Sequence, residues 1–187
     1  MQPLLPDGTP APPSTDYAPG APGQPDAIDQ LLERNRRTAM SHPYWIGPVP
    51  TMHVAMVMCM DTRIDTYRAF AIEAGEVHIL RNAGGVVTDD VIRSLTISQR
   101  LLGTREIILI HHTGCGMLTF HDDDVKAQIE ADTGLRPPFA LEAFPDLEGD
   151  VRQSIARIKA SPFVPSKDSI RGFVYEVETG RLREVKE

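Results

Sequence analysis

Two short, continuous apolar runs, each ending in a tight polar cluster, constrain the fold of this chain more than any other feature. The first run covers residues 54–58 and leads into Cys59-Met60-Asp61-Thr62-Arg63. The second covers residues 107–110 and leads into His111-His112-Thr113-Gly114-Cys115-Gly116. An apolar run without polar alternation suits a strand buried on both faces, as in parallel sheets covered by helices. The intervening sequence agrees. Residues 65–74 are predicted to form a helix with Gly75 at its C-terminal end. Residues 76–80 read as a second strand. Thr88 can cap a helix carrying Val91, Ile92, Leu95 and Leu102, with Asp89 and Asp90 in its first turn and Gly103 past its end. Residues 106–110 make the third strand. This βαβαβ order predicts an α/β fold of three layers, with a central, mostly parallel sheet and right-handed crossovers.

The flanking segments are read from composition and periodicity. Residues 1–26 hold eight prolines and little that could form a core, so they are expected to be a disordered tail. Residues 27–187 are expected to form one domain. Within residues 26–40, Ile28, Leu31 and Leu32 make an apolar stripe on a helix that precedes the sheet, an N-terminal arm suited to packing on a partner subunit. Residues 41–50, with three prolines and a glycine, read as a linker. A helix is expected over residues 122–131, with Asp122, Asp123 and Asp124 as its solvated start. Residues 133–149 read mostly as loop. Val151, Ile155 and Ile158 mark another helix, and residues 172–177 and 181–185 read as a hairpin or a late pair of strands.

Both polar clusters sit at the carboxyl ends of their strands. In an open α/β sheet, ligands bind where neighbouring strands send their connections to opposite faces. A 2-1-3 strand order brings Cys59 and Cys115 to that crevice. Cys59, His112 and Cys115 are then three strong zinc ligands, and Asp61 or a water can take the fourth position. With water there, the site is catalytic; with Asp61 there, it is closed. An ion pair with Arg63 would hold Asp61 off the metal. Other readings of the cysteines are buried thiols without a role, a disulfide and a structural zinc site. His111 is expected to point away from His112 because strand side chains alternate. His42, His53, His78 and His121 read as ordinary histidines.

Charge and hydropathy exclude some partners. The net charge is -7 and the one compact basic run is residues 34–37, so nucleic acid is not an expected partner. No apolar stretch approaches the ~20 residues that cross a bilayer. The N-terminus lacks the basic and apolar regions of a signal peptide, so the expected location is the cytoplasm. Cysteines there serve as ligands or catalytic groups more often than as disulfides. No glycine-rich nucleotide motif is present.

Cys59-Met60-Asp61-Thr62-Arg63 and His112-Thr113-Gly114-Cys115 resemble the Cys-x-Asp-x-Arg and His-x-x-Cys motifs of the β-class carbonic anhydrases. Arg81-Asn82-Ala83-Gly84 is similar to that family's Arg-Asn-Ala-Gly loop, and the resemblance extends from about residue 27 to the C-terminus. It implies a zinc-dependent α/β enzyme built on a homodimer or a higher even oligomer. The zinc ligands would be Cys59, His112 and Cys115, the catalytic pair Asp61 and Arg63, and the substrates carbon dioxide and bicarbonate. Backbone near Gly84 or Gly114 would shape the pocket. Thr62 stands where the family often has Ser. No Gln lies between Gln30 and Cys59, so the chain resembles the short, archaeal-type branch. The same fold hosts hydrolases of carbonyl sulfide and carbon disulfide. Beside these enzymatic readings stand a structural zinc module serving assembly and a redox protein using Cys59 and Cys115.

Overall fold

Each of the two apolar runs is a central strand. The computed structural model describes residues 26–39 and 46–186. The Pro-rich tail, His42 and the first half of the linker lie outside the described residues. Strand β1 is Val54–Cys59, β2 is Val77–Asn82, β3 is Glu106–His112, β4 is Ile170–Glu176 and β5 is Arg181–Val185. They form one sheet in the order β2-β1-β3-β4-β5. The first four strands run parallel and β5 pairs antiparallel with β4. The 2-1-3 order and the terminal hairpin expected from the sequence are both present.

The helices sort by face. Helix α3 (Asp89–Arg100) connects β2 to β3, and α5 (Leu147–Ala160) precedes β4. Val91 and Leu95 of α3 and Val151, Ile155 and Ile158 of α5 pack with Ala55, Val57, Ile107, Leu109 and Val174 into the main core. Burying an aliphatic side chain of this size contributes about 1.5–3 kcal/mol. The close docking of α5 on β4 depends on Gly172, where an added Cβ would stand 2.3 Å from Val151 Cγ1. On the other face, Met56, Met58, Ile64, Ile110 and Tyr175 form a second cluster with Phe70 from α2 (Thr66–Phe70). The connections leaving β1 and β3 therefore lie on opposite faces, and the crevice between these strands is the topological switch point of the sheet.

Thr88 caps α3 as expected, accepting from the Val91 N–H, and Asp65 caps α2 by accepting from Arg68. Helix α2 is shorter than its pattern suggests. It ends at Phe70 because Ala71 takes the left-handed conformation and closes the turn with its own N–H. Gly75, expected as the helix stop, instead turns the chain into β2 with φ +92°. Helix α4 (Asp122–Thr133) runs two residues past its expected end, to Gly134 at φ +76°. Helix α5 begins inside the expected loop because Asp146 caps it by accepting from Glu148. Helix α1 (Ala27–Ala39) has no buried residue; Ile28, Leu31 and Leu32 are all exposed. Among the described residues no helix is long and apolar enough to cross a membrane.

Candidate metal centre

The chain turns sharply after β1, and one carboxylate shapes that turn. Asp61 Oδ1 accepts from the Arg63 backbone N–H at 2.9 Å, a side-chain turn to the residue two further on. The same oxygen accepts from Arg63 Nε at 2.9 Å, and Oδ2 accepts from Nη2 at 2.7 Å. This two-pronged pairing is the strong form of an arginine–carboxylate contact. It lowers the Asp61 carboxyl to about 2, chiefly through the Arg63 side chain, so the group is a carboxylate at neutral pH. Arg63 Nη2 also donates to the Gly114 carbonyl at 2.9 Å, which ties the turn after β1 to the turn after β3.

The second turn presents the remaining donors. Gly114 stands at φ +62°, in the region that favours glycine. Thr113 N–H donates to the Tyr175 carbonyl, and Thr113 Oγ1 bonds both Val177 N–H and Glu178, so the end of β4 anchors the turn. His112 is fully buried, and its Nδ1 lies 2.9 Å from the Thr113 carbonyl. Only an Nδ1–H can bond a carbonyl, so in the neutral ring it is Nε2 that carries the lone pair. That Nε2 is buried and without a hydrogen-bond partner among the described residues.

The ligand atoms of Cys59, His112 and Cys115 lie within 4.8 Å of one another, and all three residues are buried. Ligands bonded at ~2.0–2.3 Å to one tetrahedral ion stand roughly 3.5–4 Å apart, so this group fits zinc with little movement. The two thiols share protons unequally. The hydrogen bond from Cys115 pushes the Cys59 thiol down, and the bond to Cys59, with burial, pushes Cys115 up. The pair leans towards a thiolate at Cys59, and a cation between the sulfurs would favour a second. Asp61 Oδ2 lies 3.7 Å from His112 Nε2, beside the point where the three donors converge.

Apolar groups wall the site. Val86, Met117 and Phe144 cluster with the two cysteines. Gly84 lies under this wall: a Cβ there would meet Met117 Cγ at 3.0 Å and Phe144 Cε1 at 3.2 Å. At Gly114 the nearest atom to an added Cβ is Arg63 Nη1, at 3.6 Å. The closest approach is at Gly85, which the motif did not single out. A Cβ there would stand 2.7 Å from the Cys59 nitrogen and 2.8 Å from the Met58 carbonyl carbon, at φ +73°.

His111 points to the α5 side, as strand alternation predicts. Its Nε2 lies 2.6 Å from Asp150 Oδ2 and its ring stacks on Phe144. His53 bonds the Gly103 carbonyl and His78 bonds Ser98, so both have structural partners. Asp122 is not simply a solvated helix start. Its carboxylate accepts the N–H groups of Leu141, Glu142 and Ala143, and so holds the segment that delivers Phe144 to the site. No local pattern announces that role, because the donors lie about twenty residues away.

Residues 54–136 match the family model described as carbonic anhydrase. Over 142 residues, 74% of this chain and 87% of the other, the sequence is 61% identical to β-carbonic anhydrase 1 of Mycobacterium tuberculosis. It is 37% identical over 153 residues to a carbon disulfide hydrolase of Saccharolobus solfataricus, covering 68% of this chain and 74% of that one. The crystal structure of a Streptococcus mutans carbonic anhydrase superposes with a TM-score of 0.79 at 41% identity, over 85% of this chain and 97% of the other.

Proposed function

The chain belongs to the β-carbonic anhydrase family, and from that premise we propose that it hydrates carbon dioxide reversibly on a zinc ion held by Cys59, His112 and Cys115. The observation that carries the metal assignment is the buried, unpartnered Nε2 of His112 converging with two cysteine thiols beside an arginine-held carboxylate. When bound, zinc supplies Lewis acidity that makes water nucleophilic near neutral pH.

The chain's own groups do the rest. Asp61 Oδ1 is occupied twice by Arg63, which leaves Oδ2 better placed to accept a hydrogen bond from the attacking water. Such a bond orients the nucleophile and holds its proton side away from the substrate carbon. Arg63 fixes Asp61 and, through the Gly114 carbonyl, the distance between the two turns. Its hold on both carboxylate oxygens favours the open arrangement over one with Asp61 as fourth ligand. Val86, Met117 and Phe144 form an apolar wall suited to a small linear molecule, Gly84 keeps that wall uncrowded, and Gly114 supplies the positive φ of the turn beside the dyad.

The functional unit is residues 27–187, assembled as a homodimer or a higher even oligomer. The exposed stripe of Ile28, Leu31 and Leu32 on α1 supports this reading, since nothing among the described residues covers it. A reducing compartment, the cytoplasm, suits thiols kept as ligands.

The test is stopped-flow carbon dioxide hydration on metal-analysed protein, with carbonyl sulfide and carbon disulfide consumption measured on the same preparation. One zinc per chain and fast hydration are the expected result. Fast carbon disulfide consumption without hydration would reassign the substrate. Zinc without either activity would leave a structural module, and two titratable thiols without zinc would leave a redox protein.

A further inference from the structure

The Arg-Asn-Ala-Gly segment has a chemical role that neither the metal ligands nor the dyad accounts for. Beyond Met58 no β3 partner continues the ladder of β1, and the turn over residues 59–64 must find other hydrogen bonds for its carbonyls. One side chain supplies three. Arg81 Nε donates to the Cys59 carbonyl at 2.8 Å, Nη2 to the Asp61 carbonyl at 2.6 Å and Nη1 to the Ile64 carbonyl at 3.2 Å. The next residue adds a fourth tie, since Met60 N–H donates to the Asn82 carbonyl at 2.8 Å.

The three carbonyls frame the segment that carries Cys59, Asp61 and Arg63. Resting on the proposed function, we propose that Arg81 is a positioning residue. Its guanidinium clamps the backbone of residues 59–64 and thereby sets where the Asp61 carboxylate and the Cys59 sulfur stand relative to His112 and Cys115. None of its contacts is to a ligand atom or to the Asp61 carboxylate; it acts through the backbone alone. The role needs the planar fork of arginine. A lysine ammonium keeps the charge but is a single point of donation and cannot span three carbonyls in this geometry. Gly85 packs against the same backbone, where only a hydrogen fits against the Cys59 nitrogen. Arg81 is exposed on its outer side, so replacing it leaves no hole in the core.

The experiment compares zinc-loaded full-length wild type, Arg81→Lys and Arg81→Ala. It measures kcat and KM for carbon dioxide, zinc per chain, and amide hydrogen exchange across residues 60–64 and across β3. The expected result is full zinc occupancy, a kcat lower by roughly 10- to 100-fold and a KM little changed. The Met60, Arg63 and Ile64 amides should exchange faster while β3 stays protected. Added guanidinium should restore part of the kcat of Arg81→Ala. Wild-type kcat with unchanged exchange in both variants would overturn the clamp, and so would equal loosening of the turn and β3. If Arg81→Ala does not fold, Arg81→Lys decides alone. Exchange needs no turnover: a wild type without hydratase activity would refute the function, while the clamp would still stand or fall on the amides of residues 60–64.

Discussion

Asp61 cannot fully serve Arg63 and a metal at once. Its two oxygens hold three hydrogen bonds from Arg63, and Oδ2 stands 3.7 Å from the nitrogen that would bind the ion. Arg63→Ala removes two of these bonds and frees the carboxylate to turn towards the donors. That variant is expected to keep its zinc, because Cys59, His112 and Cys115 are untouched. It should lose most hydration activity, on the order of 100-fold, the upper range for outer-shell partners. Metal analysis alongside stopped-flow rates checks this, and unchanged turnover would reduce the pair to a structural contact. Cys115→Ala should instead lose zinc and activity together, since two protein ligands are too few for a catalytic ion; full occupancy in that variant would remove the site as drawn. That these residues would meet was legible in the sequence, because strand ends carrying Cys, His and Asp have few other uses. The exclusive fit at Gly85 was not legible. It depends on how closely the loop after β2 passes beneath the backbone of β1, a distance with no local signature.

Elements show the same division between patterned and contextual information. The central strands could be read because burial on both faces forces an unbroken apolar run. Helix α2 was over-read because an alanine in the left-handed conformation, not a glycine, ends it. The start of α4 was under-read: Asp122 looks like a helix-start carboxylate but also holds a distant loop. Burial raises its carboxyl, yet the N–H groups of Ala143, Leu141 and Glu142 outweigh that and hold it below the ordinary range. A depressed folded value gives stability that is complete above the unfolded value of ~3.9 and is lost as pH falls through the lower folded one. Asp122→Ala removes three charge-assisted hydrogen bonds and, discounted for solvent screening, should cost on the order of 1 kcal/mol at neutral pH. The difference from wild type should shrink below pH ~4. Urea unfolding at both pH values measures it, and a gap independent of pH would show that the carboxylate's charge is irrelevant. Gly85→Ala is a harsher change, combining a left-handed φ with two backbone contacts under 3 Å. It should cost roughly 3 kcal/mol or more, read as a fall in melting temperature; a neutral effect would mean the loop can retreat from β1.

At the scale of the whole molecule, two apolar surfaces lack cover among the described residues. One is the α1 stripe, with Ile28 67%, Leu31 60% and Leu32 49% exposed. The other is a groove on the sheet face opposite α3 and α5, lined by Met52, Met56, Phe70, Ile72, Ile108 and Phe173. Surfaces of this kind suit the proposed assembly, and an amphipathic helix laid in an apolar groove is a common recognition mode. The arm also carries its own charge pattern: Glu33 pairs with Arg36 and Arg37 along the exposed side. Such pairs contribute only a few tenths of a kcal/mol each, so the stripe must supply most of any docking energy. Two deletions separate the tail from the arm. Removing residues 1–24 takes away proline-rich sequence without touching α1, and should leave assembly and activity as they were. Removing residues 1–40 takes away the stripe and should weaken the proposed dimer, with a monomer appearing at low concentration in analytical ultracentrifugation. Hydration activity should fall along with the dimer. A monomeric and fully active product of the longer deletion would show that α1 has no part in assembly and that one chain completes its own site.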